Sequence, residues 1–162
     1  MIINRVWAMP NKNTFEIPPI REFILKNIAD KLEIYDPFCG DSTIANHRND
    51  LKISKIDSLY WMRCVVKSES ADAVLFDPPY SPRQLKECYN SVGQPLHDTK
   101  SSVWKDWKDQ IARITKYNGC VLSFGWQSGG IGKDRGFELV EILLVAHGGN
   151  HNDTICTKEI KI

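Results

Sequence analysis

Four consecutive residues, Asp77, Pro78, Pro79 and Tyr80, carry the strongest chemical signal in this chain, because they directly follow the apolar run at 73–76. A short apolar run that stops at a proline pair predicts a buried parallel strand with an abrupt end. Ligands of open α/β sheets bind just outside the carboxyl ends of such strands. The aspartate and the proline carbonyls are hydrogen-bond acceptors, and the tyrosine ring is a flat stacking surface. This combination suits an exocyclic amino group on a planar base.

A strand end followed by an ordinary turn is the alternative interpretation of residues 77–80. Given typical residue frequencies, this tetrapeptide arises by chance in roughly one in a thousand chains of this length. Its position after a buried strand weakens the turn interpretation further, so we take it as the candidate catalytic motif.

A second cluster of candidate residues lies at 36–43, at the end of a short predicted strand. Gly40 permits close backbone approach, and loops at this place in a sheet bind nucleotide-like cofactors. A structural turn explains a single glycine equally well. Asp50 and Asp57 end two predicted extended segments, at positions where acids would bind ribose hydroxyls and an adenine amino group. Each aspartate is also a common turn residue.

Composition and length predict one globular domain covering residues 1–162. The chain is 42% hydrophobic and 25% charged, with no stretch long enough to span a membrane and no signal-peptide region. The five cysteines are odd in number, scattered and without a C-x-x-C pair, which indicates reduced thiols and a cytoplasmic protein rather than disulfides or zinc. The residues His147, His151, Asp153 and Cys156 lack standard ligand spacing, so no metal site is predicted.

The net charge of +1 gives no general case for nucleic-acid binding. A basic run at 100–116 is either a phosphate-binding surface or a solvated helix face. The segments at 81–100 and 129–135 are candidate DNA-contacting loops, or simply mobile ones.

The hydrophobic pattern predicts strands and helices in alternation, closed by an antiparallel pair. The first twenty residues are predicted to be an irregular arm, because of their three prolines. We predict helices at 20–32 and 101–116, the second ending at Asn118-Gly119, and strands at 32–35, 46–51, 51–57, 73–76, 120–124, 137–146 and 154–162. The fold class is therefore α/β, a compact Rossmann-like open mixed sheet that ends in an antiparallel hairpin.

These residues together resemble the amino-methyltransferases that modify DNA bases with S-adenosylmethionine. Residues 77–80 look like the catalytic motif in its N6-adenine form. The cofactor loop of the family is similar to the run Asp36, Pro37, Phe38, Cys39 and Gly40. Residues 14–20 resemble the segment that closes over the methionine end of the cofactor. Phe15 and Ile17 from that segment would pack near the cofactor, or fill the core. The pieces at 123–126 and 137–159 resemble small phage-encoded adenine methyltransferases, so the likeness covers nearly the whole chain.

The resemblance implies a class I methyltransferase fold and methyl transfer to the N6 of adenine in DNA, in the cytoplasm of a bacterium or a phage-infected cell. Asp77 and the Pro78 carbonyl would accept the two N6 hydrogens, and Tyr80 would stack on the flipped base. A homo-oligomer and a restriction-modification role are further expectations. RNA adenine, cytosine N4, a glutamine amide, or an inactive DNA-binding subunit stay open as alternatives.

Two departures from the family pattern concern the cofactor region. Ser42 stands where the family usually has a second glycine, and the chain between Gly40 and Asp50 is too short for a full crossover helix. No separate target-recognition domain is evident. Sequence specificity would then come from short loops or from a second subunit.

Overall fold

A seven-stranded mixed sheet organises the chain in the computed structural model, which describes residues 1–94 and 102–162. The strands are β1 (Ile2–Trp7), β2 (Ile34–Asp36), β3 (His47–Arg48), β4 (Ala71–Phe76), β5 (Thr115–Gly125), β6 (Phe137–Ala146) and β7 (Thr154–Lys161). The helices are α1 (Pro18–Ile28), α2 (Leu51–Ser54), α3 (Ser58–Cys64), α4 (Pro82–Ser91) and α5 (Ser102–Ile114), with 3₁₀ turns at Thr14–Glu16 and Lys133–Arg135.

The strand order is β1-β6-β7-β5-β4-β2-β3. The strands β3, β2, β4 and β5 run parallel, whereas β7 is antiparallel to both β5 and β6, and β1 is parallel to β6. This arrangement confirms the predicted Rossmann-like mixed sheet that closes with an antiparallel hairpin. The carboxyl ends of β2, β4 and β5 therefore meet at one edge of the sheet.

Strand β4 is buried on both faces, which is why its sequence is an unbroken apolar run. Ala73 and Leu75 belong to the core on the α1 side, while Val74 and Phe76 belong to the core beneath α3 and α5. The predicted buried strand at 73–76 is thus confirmed. The strand therefore places the following residues, 77–80, at the carboxyl edge of the sheet.

The prediction of an irregular N-terminal arm is wrong for residues 2–7, which form β1. Pro18 and Pro19 occupy the first turn of α1, where a missing N–H costs nothing, so they start the helix instead of breaking the chain. The helix also ends earlier than predicted, at Ile28, and Leu32 beyond it is exposed.

The predicted second extended segment, at 51–57, is also wrong, because Leu51–Ser54 is helical. Asp50 and Asp57 do not end strands there. They cap the amino ends of α2 and α3 by accepting backbone N–H groups. Capping is the local role that aspartate most often takes before a helix. Two short helices, α2 and α3, therefore follow β3 in place of the predicted further strand.

Helix α5 ends at Ile114, before the predicted boundary at Asn118-Gly119, and its predicted first residue lies outside the described residues. Strand β5 begins at once with Thr115. Its pairing with β4 jumps from Ala71–Thr115 to Ala73–Cys120, so the residues between form a bulge in which Asn118 has a φ of 61°. The turn residues mark that bulge rather than a helix end.

Within the described parts of the chain, no helix has the length and apolar character that a bilayer span requires.

Arg113 ties α5 to the end of α3. Its guanidinium donates to the Met62 and Val66 carbonyls and to the Ser68 hydroxyl. We predict that Arg113→Met lowers the free energy of unfolding by about 1.5–3 kcal/mol, because two carbonyls and a hydroxyl lose a charged donor.

Urea denaturation measures this effect, with Arg63→Met as the matched control. Arg63 is half exposed and 4.0 Å from its carboxylate partner Asp106, so its loss should cost less than about 1 kcal/mol. Equal effects of the two substitutions would contradict the assigned role of Arg113.

Candidate active site

One cleft of about 560 Å³ opens at the carboxyl edge of β2 and β4. Its walls come from the loop after β2, the turn after β4, the helices α2 and α4, and the segment at 12–14. The structure brings together in this cleft eight of the predicted site residues, namely Phe38, Gly40, Asp50, Asp57, Asp77, Pro78, Pro79 and Tyr80.

The other predicted site residues lie outside this cleft. Phe15 and Cys39 line an adjoining cavity of about 110 Å³, which shares Asp77 with the cleft. Ile17 is buried in the core beside α1, and Phe15 packs its ring on Phe124 with centroids 4.8 Å apart. Asp36 and Pro37 lie behind the wall, where the Pro37 carbonyl accepts from the Ser58 hydroxyl at 2.6 Å. Ile17 thus fills the core, and Phe15 packs in the core while also lining the adjoining cavity.

The Asp77 carboxylate is hydrogen-bonded within its own motif. The Tyr80 hydroxyl donates to its Oδ1 at 2.5 Å. Burial raises the pKa of Asp77 to about 6, although the Tyr80 hydroxyl and the nearby Thr14 side chain favour the charged form and act against that rise. The carboxylate is therefore a partly buried acceptor that already has a donor bound to it.

The turn at 77–80 is held in place from two sides. The Tyr80 N–H donates to the Gln84 side chain of α4 at 2.7 Å, and the Trp104 indole of α5 donates to the Pro79 carbonyl at 3.1 Å. The Tyr80 ring meets Trp126 edge-on, with centroids 5.4 Å apart. The Pro79 carbonyl therefore already accepts one hydrogen bond from the protein.

The loop after β2 is organised by carboxylates. The Oδ1 atom of Asp36 accepts from the Phe38 N–H at 3.0 Å, while its buried Oδ2 atom has no partner among the described residues. Burial raises the pKa of Asp36 well above its usual value, and the nearby carboxylates of Asp77 and Asp50 add to that rise. Asp36 is fully buried and does not line the cleft, so its carboxyl group shapes the loop from behind the wall.

Gly40 has a φ of 51° and donates its N–H to Asp50 at 3.0 Å. A Cβ at this glycine would meet no atom within 4 Å, so the backbone faces open space at the cleft. No helix lies between β2 and β3, which confirms the prediction of a shortened crossover. Ser42 fits this path, since its hydroxyl accepts from the Ile44 N–H at 3.3 Å.

Asp57 bridges two helices across the cleft. One carboxylate oxygen caps α3, and the other accepts from the Tyr89 hydroxyl of α4. The predicted role of Asp57 toward an amino group would require Tyr89 to release it. Helix α4 itself replaces the predicted loop over 82–91. The sequence contains a signal for the start of this helix, because Ser81 accepts from the Gln84 N–H as a cap and Pro82 occupies the first turn.

Trp107 is a site residue that the sequence interpretation assigned only to the core. Its ring is 1% exposed and packs edge-on against Phe38 with centroids 4.8 Å apart. It also lines the cleft, and its indole N–H has no partner among the described residues. The helical spacing found the buried face correctly, but spacing says nothing about an unpaired nitrogen.

Two regions considered for DNA contact, the basic run at 100–116 and the segment at 129–135, form bonds within the protein where the structure describes them. In the basic run, Lys105 pairs with Asp109 and Lys116 with Asp72, and Arg113 binds α3 as described above. The segment at 129–135 is anchored by the buried Glu159, whose carboxylate accepts two backbone N–H groups at residues 131 and 132. Residues 95–101, which include Lys100, lie outside the described residues.

His147 is likewise engaged, since its ring nitrogens lie 2.9 Å from the Ala8 carbonyl and 2.8 Å from the Thr154 hydroxyl. The described residues contain no group of three His, Cys, Asp or Glu side chains placed to hold a metal ion.

Solved methyltransferase structures share this fold. TrmN from Thermus thermophilus matches with a TM-score of 0.56 at 16% identity, over 90% of this chain and 49% of TrmN, so this chain spans about half of that protein. The N-methyltransferase NodS from Bradyrhizobium japonicum WM9 matches with a TM-score of 0.52 at 9% identity, over 94% and 99% of the two chains. No protein-family model and no curated protein sequence matches this chain. At such identities the likeness shows the fold, which is the class I Rossmann-like methyltransferase fold.

The bond from Tyr80 to Asp77 makes a prediction about pKa. Since the tyrosine hydroxyl stabilises the charged carboxylate, Tyr80→Phe should raise the pKa of Asp77 above its value of about 6. Carboxyl ¹³C NMR titration of the unliganded protein measures this shift.

Tyr89→Phe is the matched control, because it removes a hydroxyl bound to Asp57 instead. It should leave the titration of Asp77 in place. An unchanged or lowered pKa of Asp77 in Tyr80→Phe would contradict the hydrogen-bond assignment.

Proposed function

We propose that this chain transfers a methyl group from S-adenosylmethionine to the exocyclic N6 amino group of adenine in DNA. The observation that carries the proposal is the position of Asp77, followed by two prolines and a tyrosine, at the carboxyl end of β4. These residues share one cleft with the glycine loop after β2. A cleft of this kind can hold a nucleotide-like cofactor beside an amino-group acceptor site.

The residues of the cleft fit the proposed cofactor. A volume of about 560 Å³ lies within the range of ligand pockets. The cofactor carries positive charge on its sulfonium and amino groups, and carboxyl groups line the cleft, among them those of Asp41, Asp50 and Asp77. Gly40 leaves room for close backbone approach, and Asp50 fixes that glycine by its N–H. The NodS protein, which shares the fold, is described as an N-methyltransferase.

When bound, the cofactor supplies an electrophilic methyl group, and the chain's own residues prepare the amine. The N6 lone pair is delocalised into the adenine ring, so the nitrogen needs activation by position. Asp77 and the Pro78 carbonyl each accept one N6–H, which favours a tetrahedral nitrogen and frees its lone pair. The proline pair keeps these acceptors in a fixed geometry. After the transfer N6 loses one proton, which Asp77 is placed to accept because it holds that N6–H. No metal and no covalent intermediate is required.

Tyr80 takes part through its hydroxyl group and through its aromatic ring. In the unliganded chain its hydroxyl donates to the Oδ1 atom of Asp77, so an incoming amino group either displaces that hydroxyl or donates to Oδ2. Its ring is then the surface on which the flipped base stacks, worth about 1–3 kcal/mol. The half-exposed Trp126, edge-on to Tyr80, supplies a second aromatic wall beside it.

The test uses purified protein, tritiated S-adenosylmethionine and unmethylated DNA, followed by digestion to nucleosides. We expect label in N6-methyladenine for the wild type and none for Asp77→Ala, because the variant lacks the principal acceptor of N6–H. Cofactor binding by Asp77→Ala, measured by calorimetry, should be largely retained.

Parallel reactions with RNA and with a glutamine-bearing peptide separate the substrate alternatives. Label in RNA alone would move the substrate to RNA adenine and overturn the DNA assignment. Turnover by Asp77→Ala would overturn the assigned role of Asp77. Absence of both label and cofactor binding in the wild type would favour an inactive subunit.

The unpaired Trp107 N–H gives a prediction about cofactor affinity. A buried donor that bonds a ligand acceptor contributes about a factor of ten to affinity. Trp107→Phe, which keeps an aromatic ring at this position, should therefore bind S-adenosylhomocysteine about ten-fold more weakly in calorimetry. Trp61→Phe, a buried tryptophan outside the cleft lining, should leave the affinity unchanged. Equal affinities of wild type and Trp107→Phe would show that the indole N–H is not used.

A further inference from the structure

The two ends of the sheet are built differently. At one end, β3 is an edge strand of two residues. At the other end, β1 is an edge strand of six residues whose outer side pairs with no described strand. Most natural edge strands are short, charged or interrupted, because a long free edge pairs readily with another chain. Strand β1 has none of these protections except the single charge of Arg5.

Strand β1 also exposes large apolar side chains on both faces. Ile2, Ile3 and Trp7 are 56%, 56% and 63% exposed, and Met1, directly before the strand, is 77% exposed. The free backbone edge and these side chains occupy the same few residues. Exposure of this kind, concentrated on an unpaired edge, marks an interaction surface.

We propose that β1 pairs with β1 of a second copy of this chain, in antiparallel orientation, to form one continuous sheet through a homodimer. A two-fold axis perpendicular to the sheet keeps each side chain on its own face. Residues that oppose each other must then both be even-numbered or both be odd-numbered, since side chains alternate along a strand. This condition leaves few possible registers.

Charge selects one of these registers. With Asn4 opposite itself at the axis, Ile2 faces Val6, Ile3 faces Arg5, and Met1 faces Trp7, so apolar groups meet and no like charges oppose. Moving the axis to residue 5 would place Arg5 opposite Arg5, and like charges directly opposite are destabilising. Moving it to residue 3 shortens the pairing and leaves Trp7 without a partner.

The proposed interface leaves the candidate active site open. The cleft is formed around β2 and β4, at the other end of the strand order from β1. The pairing is therefore independent of the proposed methyl transfer, and it gives the expected homo-oligomer a defined surface.

Two opposite charges placed at Ile3 test the dimer and its register together. In the proposed pairing Ile3 faces Arg5 of the second copy, so Ile3→Lys creates two facing cation pairs and Ile3→Glu creates two opposite-charge pairs. We expect sedimentation velocity to show a wild-type dimer. The dimer dissociation constant of Ile3→Lys should exceed that of Ile3→Glu by at least about ten-fold.

Ile3 is exposed and both variants add one charge, so folding effects should match, which circular dichroism checks. A monomeric wild type at high micromolar concentration would overturn the proposal. So would equal dissociation constants for the two variants, because they would place the contact, or its register, elsewhere.

A cross-link at the axis gives a second, independent readout. Asn4→Cys would face itself at a Cα separation of about 4.5–5.5 Å, which a disulfide can span. Arg5→Cys faces Ile3 of the other copy and should not cross-link efficiently. Because Cys64 is exposed, both variants carry Cys64→Ser. Rapid oxidation to a covalent dimer by Asn4→Cys alone would support the register. Equal cross-linking by both cysteines would overturn it.

Discussion

The desolvation of two carboxyl groups, Asp36 and Asp77, is the constraint around which the functional edge of this protein is arranged. Both follow from the parallel pairing of β2 with β4, which brings the ends of the two strands side by side. Burial raises the pKa of each group, and the charge of Asp77 adds to the rise at Asp36. Desolvated acids of this kind are costly for an empty protein, and Asp77, which lines the cleft, is favourable for a cationic or hydrogen-donating ligand.

The surrounding structure lowers that cost with local donors. Asp36 accepts from the Phe38 N–H, and Asp77 accepts from the Tyr80 hydroxyl. Asp50 and Asp57 likewise accept hydrogen bonds, from backbone N–H groups of the helices that they cap. A ligand therefore does not meet bare charges. It meets carboxylates whose donors it must replace or supplement, and this favours a ligand with several well-placed N–H groups over a simple cation.

The sequence permits good prediction wherever a single local rule decides the structure. The run at 73–76 is apolar because β4 is covered on both faces. The strand ends before the proline pair because proline has no N–H to donate to a neighbouring strand. Where two rules compete, prediction fails. Asp50 and Asp57 satisfy the pattern of strand ends and also that of helix caps, and the caps form because α2 and α3 make the connection from β3 to β4. Strand β1 could not be predicted, because its partner β6 lies far along the chain and its own residues are not buried.

The same distinction applies to the candidate site. Residues 77–80 and Gly40 are recognisable because their types are unusual at a strand end, and the fold brings them to one cleft. Trp107 is not recognisable, since a buried tryptophan in an amphipathic helix looks identical whether or not its N–H has a partner. The bond between Tyr80 and Asp77 is equally invisible in sequence, since nothing in the tetrapeptide says that the tyrosine hydroxyl turns back onto the aspartate. Under the proposed methyl transfer, an amino group that approaches Asp77 meets a carboxylate with one oxygen already bonded and an aromatic ring beside it, an arrangement that favours amines attached to planar groups.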